Sequence, residues 1–216
     1  MGEDKVSIIV VHWAQDEKRS RAMYQTILSL AQTAPNAEII VVDNGGSDSD
    51  SNFLLREASS GHIACYVRNR KNMHFGYARN QGIKLSSGDF LVVADNDILY
   101  FDGWLEKTIS FLKKNKGKYL ATPLRCDPMN NRKTRWMGEA DGWRLNMRAG
   151  SNCTVMRRED FEKIGWYEQH RIAGSKWTDR YVRMGYLMAV MPEPKAHDLG
   201  FRKGYNFNEP VKHLEL

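Results

Sequence analysis

Asp95-Asn96-Asp97 sets two carboxylates within three residues. Held in one tight turn, such a pair can bind a hard divalent cation, with a diphosphate supplying further oxygen ligands. The cation then neutralises charge on the diphosphate as it leaves. Alone, the triplet also suits a turn or a helix cap, so its chemistry depends on where the fold puts it. A second feature is charge. The chain carries a net +6, and much of the excess is local. Arg125, Arg132, Lys133, Arg135, Arg144, Arg148, Arg157 and Arg158 outnumber Asp127, Glu139 and Asp141 by five over residues 125–158. A basic surface draws anions such as nucleotide diphosphates, nucleic acid or acidic lipid. The alternative is a solvated face with no partner. Trp136, Trp143, Trp166 and Trp177 lie in the second half. Their rings suit stacking on sugars or bases, and equally suit a core, where Trp166 is expected.

These residues need elements to position them. Val6–Val11, Glu38–Val42, Ile63–Val67 and Phe90–Ala94 are short, apolar runs rich in β-branched residues, as expected of strands covered on both faces. Helices are expected at 17–34, 51–59, 76–85 and 103–114, and a fifth strand at 119–122. This alternation implies right-handed βαβ crossovers and a mostly parallel sheet, an α/β fold. Ligands of such sheets bind at the carboxyl ends of the strands. Asp43 and Asp95 fall just past two of those ends. After residue 124 the rhythm breaks. A short helix is expected over 158–164 and another over 177–184. A strand over 187–191 is expected to stop at Pro192 and Pro194.

A length of 216 residues suits one domain. Cys65, Cys126 and Cys153 form no CxxC pair, which points to a reducing compartment. The start, Met1-Gly2-Glu3-Asp4, lacks the features of a signal peptide, and no apolar stretch nears membrane-spanning length. The expected location is cytoplasmic, with peripheral membrane docking as the variant.

In order and spacing, several segments resemble the inverting GT-A transferases of glycosyltransferase family two. They are Val6–Trp13, Ile39–Asp48, Gly76–Gly82, Gly88–Asp97, Arg157-Arg158 with Phe161, Gly165–Glu168, Thr178-Asp179 with Arg183, Gly185 and Tyr186, and His197. The resemblance implies a single GT-A domain over 1–216. Residues 5–124 would bind the nucleotide sugar, 125–200 the acceptor, and 201–216 form a tail. It implies transfer of a sugar from a nucleotide diphosphate donor, on family frequency a UDP-sugar, to a hydroxyl with inversion. The metal would be Mn2+ or Mg2+, held by Asp95, Asp97 and His197, with Asp198 helping to orient the histidine.

Donor contacts would come from His12, Asp43, Arg79, Asp95 and Asn96. Asp43 would lie beside the base, and Arg79, with Asn80, would face the nucleotide. Ala14 departs from the family pattern in the base pocket. Asp179 matches the catalytic acidic position, although Thr178 replaces its usual Glu partner. It would take the acceptor proton as general base. Trp136, Trp143 and Trp177 are the acceptor-side candidates. The acceptor itself is open, and an anionic one is expected from the basic segment: a polysaccharide, a lipid-linked glycan or modified DNA. The alternatives are a nucleotidyltransferase, which lacks its Gly-rich basic loop here, and a basic nucleic-acid-binding module.

Overall fold

Apolar β-branched runs bury both faces only if helices cover them, and the computed structural model places them so. It describes residues 4–14, 16–126, 136–148, 153–169 and 173–199. In chain order the first half runs β1 (Val6–His12), α1 (Glu17–Thr33), β2 (Glu38–Asp43), α2 (Asp48–Ser59), β3 (Cys65–Arg68), α3 (Phe75–Leu85), β4 (Phe90–Ala94), β5 (Ile98–Tyr100), α4 (Trp104–Lys114) and β6 (Tyr119–Arg125). The second half adds β7 (Trp136–Ala140), β8 (Trp143–Asn146), β9 (Cys153–Arg157), α5 (Arg158–Ile164), α6 (Ala173–Arg183) and β10 (Leu187–Asp198).

The sheet order is β3-β2-β1-β4-β9-β6-β10-β8-β7, with β5 on β10. The block β3-β2-β1-β4 is parallel, as the alternation predicts. Beyond it the sheet is mixed. β9 enters antiparallel beside both β4 and β6, so β6 does not simply extend the parallel series. β10 runs parallel to β6 and antiparallel to β8 and β5. Side-chain alternation divides the core between the two faces. Ile8, Val10, Ile39 and Val41 pack with Met23, Ile27, Leu54, Trp104 and Phe111 of α1, α2 and α4. Ile9, Leu91 and Val93 face Ile83, Phe161, Ile164, Trp177 and Tyr181 of α3, α5 and α6. α3 lies so close to β1 that a Cβ on Gly82 would sit 2.5 Å from Ile9 Cγ2.

Three expected boundaries moved. α2 begins at Asp48 rather than 51, because Ser47 and Asp50 form a reciprocal capping box. α6 begins at Ala173 rather than 177, so Asp179 sits within the helix and not at its start. β10 does not stop at Pro192. It runs on to Asp198, and its register on β6 shifts around Pro194. Proline lacks the N–H of a ladder bond and is accommodated where register breaks. Among the described residues, no helix is long and apolar enough to cross a membrane.

Candidate active site

The carboxyl ends of β1, β2 and β4 lie side by side. His12 is the register partner of Asp43, and Val10 is that of Ala94, the residue before Asp95. Arg79, on the second turn of α3, reaches Asp95 Oδ1 with Nη2 at 3.2 Å. Its guanidinium lies 3.7 Å from the centre of the Phe75 ring and 5.1 Å from that of Tyr167. The arginine is almost wholly buried, and its Nε has no hydrogen-bond partner. Two aromatic rings at these distances, with the Asp95 contact, favour one orientation of the planar fork, as oxyanion recognition requires. Asn80, expected to face the nucleotide with Arg79, instead clamps the Tyr167 backbone. It donates to the carbonyl at 2.8 Å and accepts from the N–H at 3.1 Å.

Asp95 is crowded. Burial raises its pKa first of all, Arg79 opposes that, and Asp97 and Asp198 raise it again, so that it is pushed up to about 7. A quarter of its side chain still meets solvent, yet the surrounding protein strips most of its hydration. Carboxylates gathered against their mutual repulsion are the donor set that suits a hard cation. Among the described residues, no three or more His, Cys, Asp or Glu side chains are drawn together at metal-ligand spacing. Two carboxylates from one turn therefore fit an ion whose remaining ligands come from a diphosphate, the usual arrangement for Mg2+.

His197 lies on β10 opposite Leu99 of β5, and Leu199 N–H donates to the Asp97 carbonyl at 2.7 Å. This puts His197 one strand pair from the triplet. Asp198 does not orient it, contrary to expectation. Neighbouring residues of a strand point to opposite faces, and Asp198 pairs with Arg125 instead. The group at His197 Nδ1 is the Cys126 thiol, at 3.0 Å.

His12 and Asp43 are wholly buried. Asp43 accepts from Gly46 N–H at 2.6 Å, Ser51 Oγ at 2.7 Å and Tyr66 Oη at 3.0 Å, with Arg68 Nε at 3.6 Å. Its carboxylate shapes the Gly45-Gly46 turn, the structural role that competes with a base contact. His12 Nε2 lies 3.1 Å from Asp50 Oδ2, and Nδ1 lies 3.0 Å from Asn96 Nδ2. Asp50 carries no functional signal in the sequence, where it lies just ahead of the expected helix 51–59 in a run of Ser and Asp.

Residues 7–180 match the family model described as glycosyl transferase family 2. The chain belongs to this family. AglE, a glycosyltransferase of Haloferax volcanii, is 27% identical over 228 residues, covering 96% of this chain and 69% of its own length. An uncharacterised glycosyltransferase of Rickettsia bellii is 36% identical over 112 residues, 51% of this chain and 15% of that protein. This chain thus spans a small part of several family relatives it matches, 33% in one from Haemophilus influenzae. Among solved structures, GalNAc-T7 with UDP, GalNAc and Mn2+ superposes with a TM-score of 0.71 at 15% identity, covering 94% of this chain and 45% of that one. S. aureus TarS residues 1–349 with UDP-GlcNAc gives 0.68 at 13% identity, covering 93% and 60%. At these identities the likeness establishes the GT-A fold.

Within that family fold, the second-half candidates separate. Asp179 pairs with Arg148, and both side chains are well exposed. A Cβ at Gly174, near the start of α6, would lie 3.9 Å from Arg79 Nη1. Asp179 stands five residues further, about 7–8 Å along the axis. Trp136 is 63% exposed on β7. Trp143 is buried and stacks on Phe111 with ring centres 4.5 Å apart, so it is core rather than an acceptor contact. Trp177 is buried too. It stacks on Tyr167 at 4.8 Å and donates to the Gly165 carbonyl at 2.8 Å, so its ring supports the wall behind Arg79. Trp166, expected in the core, is half exposed.

Among the described residues, several basic side chains of the segment are engaged in the fold. Arg125 pairs with Asp198 and Arg148 with Asp179. Arg157 holds Asp160 and the Leu112 and Asn115 carbonyls, and Arg158 holds the Ser86 and Gly88 carbonyls. Arg132, Lys133 and Arg135 lie outside the described residues. Arg125, Arg157 and Arg158 thus brace the fold, which removes their support from the nucleic-acid reading.

Proposed function

We propose that this chain transfers one sugar from a UDP-sugar to an acceptor hydroxyl with inversion, using a divalent metal. The observation that carries the reading is the meeting of Asp95, Asp97 and the ring-flanked Arg79 at the carboxyl end of β4. Two solved neighbours of the same fold carry UDP with Mn2+ or UDP-GlcNAc, which supports the donor and the metal. Asp95 and Asp97 would hold Mn2+ or Mg2+ with the diphosphate completing the ligand set, while His197, one strand pair away, is not drawn up to them. When bound, the ion would offset charge on the diphosphate. Arg79 would add a fixed positive fork beside it. Residues 5–124 form the donor half in this reading, with Asn96, His12 and Asp43 shaping the nucleoside end, and 125–200 the acceptor half.

Asp179 is the proposed base. It takes the proton of the acceptor hydroxyl while that oxygen bonds to the anomeric carbon and the bond to the diphosphate breaks. Its partner Arg148 must first give way. An exposed ion pair is worth at most about 1 kcal/mol, so that release costs little. Trp136, exposed on β7, is the aromatic surface left for the acceptor side. The acceptor's chemical class is not assigned.

The test is calorimetric titration of the whole chain with UDP, with and without Mn2+, beside Asp97→Ala. Binding should need the metal, and the variant should lose that dependence. Equal UDP affinity in wild type and variant, both with Mn2+, would sink the metal site. No binding of UDP or any other nucleoside diphosphate by wild type would sink the donor reading.

A further inference from the structure

His12 Nε2 and Asp50 Oδ2 meet at 3.1 Å with no solvent exposure, directly behind the Asp95-Asn96-Asp97 turn. Taking two polar groups from water is costly unless they are bonded to one another. What the pair accomplishes follows from its third member. Asn96 Nδ2 lies 3.0 Å from His12 Nδ1. A carboxamide nitrogen can only donate, so Nδ1 accepts and the ring proton sits on Nε2. That N–H approaches Asp50 Oδ2 at 3.1 Å, too obliquely for a straight hydrogen bond, and no other acceptor reaches it. Asp50 is itself anchored. It accepts from Tyr24 Oη at 3.0 Å and from the Ser47 backbone N–H at 3.2 Å. A Cβ on Gly46 would lie 3.0 Å from the His12 ring, so only glycine leaves the imidazole its place. Side chains of α1, α2 and β1 thus converge on the middle residue of the triplet.

We infer that Asp50 is a positioning residue for the donor site: by fixing the His12 tautomer, it keeps Asn96 Nδ2 turned inward and Asn96 Oδ1 free to accept from a donor hydroxyl. This rests on the reading of the cleft as a UDP-sugar site. The logic is one of forced hydrogen-bond polarity. An ionised carboxylate only accepts, so Nε2 must carry the proton. On a neutral ring Nδ1 then accepts, so Asn96 offers it the amide nitrogen. The opposite edge of the carboxamide, an acceptor, is left for the ligand. Second-layer groups commonly fix histidine tautomers in this way.

The test uses Asp50→Asn in the whole chain, a nearly isosteric change whose amide can present either oxygen or nitrogen to Nε2. Nitrogen NMR of the labelled histidine ring reads the tautomer directly, with or without a ligand. Wild-type His12 should be protonated at Nε2 and bare at Nδ1, and the variant should show a mixture. The same tautomer in both proteins, or a proton on wild-type Nδ1, overturns the inference. UDP affinity with Mn2+ should fall about fivefold in Asp50→Asn, the scale of one neutral hydrogen bond. Ser47→Ala removes the hydroxyl that accepts from Asp50 N–H at 3.2 Å but leaves the carboxylate in place. It should bind UDP like wild type. An equal loss in Ser47→Ala would make Asp50 a helix cap and nothing more. If wild type binds no nucleoside diphosphate, the donor reading fails and takes the ligand of this proposal with it. The ring spectra still decide whether Asp50 sets the tautomer.

Discussion

At the residue scale, chemistry turns on which charged groups are already engaged. Asp179 is held by Arg148 at the surface, Asp95 by Arg79 under cover, and Asp43 by three donors from its own turn, α2 and β3. A surface pair opens cheaply and a buried, fully bonded carboxylate does not. This ranks Asp179 above Asp43 as a group able to meet a substrate directly. Asp179→Asn keeps the shape and removes the proton acceptor. Turnover, followed as UDP release, should fall roughly 100-fold or more, the scale of a lost general base. The dissociation constant for UDP with Mn2+ should stay near wild type. Near-normal turnover in the folded variant excludes Asp179 as the base.

The β7–β8 hairpin illustrates the element scale. It carries two tryptophans with opposite fates. Trp143 points inward onto Phe111, and Trp136 points out. Composition treats them alike, and neither strand was legible because 125–151 shows no apolar period. What decides their fates is that β8 pairs with β10 and so lies over α4, while β7 lies outside it. Trp143→Ala should cost about 3–5 kcal/mol in urea unfolding, the usual range for emptying a large aromatic site. Trp136→Ala should stay within about 0.5 kcal/mol. Equal effects would mean that the hairpin is not seated on α4.

For the molecule as a whole, the buried Asp50 and the partly buried Asp95 pull stability in opposite directions with pH. Burial pushes the Asp50 pKa up, but the polar contacts from His12, Ser20 and Ser47 outweigh it and hold it below the ordinary value. Its contribution is present above the unfolded value of 3.8 and lost as pH falls through the lower folded value. Asp95 is the reverse case. Its pKa is raised to about 7, so its contribution is complete below 3.8 and lost as pH rises through about 7. Thermal melts of the metal-free chain should therefore lose stability at both ends. Asp95→Asn should flatten the decline from about pH 4 to 7, and Asp50→Asn the acid limb below 3.8. Because a cation needs the ionised carboxylate, Mn2+ affinity should climb with pH until about 7. A Mn2+ affinity flat over that range would contradict the assignment of Asp95.

While the order β3-β2-β1-β4 came from the tertiary structure, the sequence alone determined that the first four long strands form a parallel block, the helices between them and the strand-end positions of Asp43 and Asp95. Those features are written in local apolar period and capping chemistry, which need no knowledge of distant partners. The family, too, was readable from the order of short motifs. The tertiary structure alone decided the insertion of β9 between β4 and β6, the passage of β10 through its prolines, and the burial of Trp143 and Trp177. It also decided the engagement of Arg125, Arg157 and Arg158 inside the fold, the surface pairing of Arg148 with Asp179, and the line from Asp50 through His12 to Asn96. Each of these rests on contacts between residues far apart in the chain. A side chain's type bounds what it can bond, but only packing chooses which partner it meets.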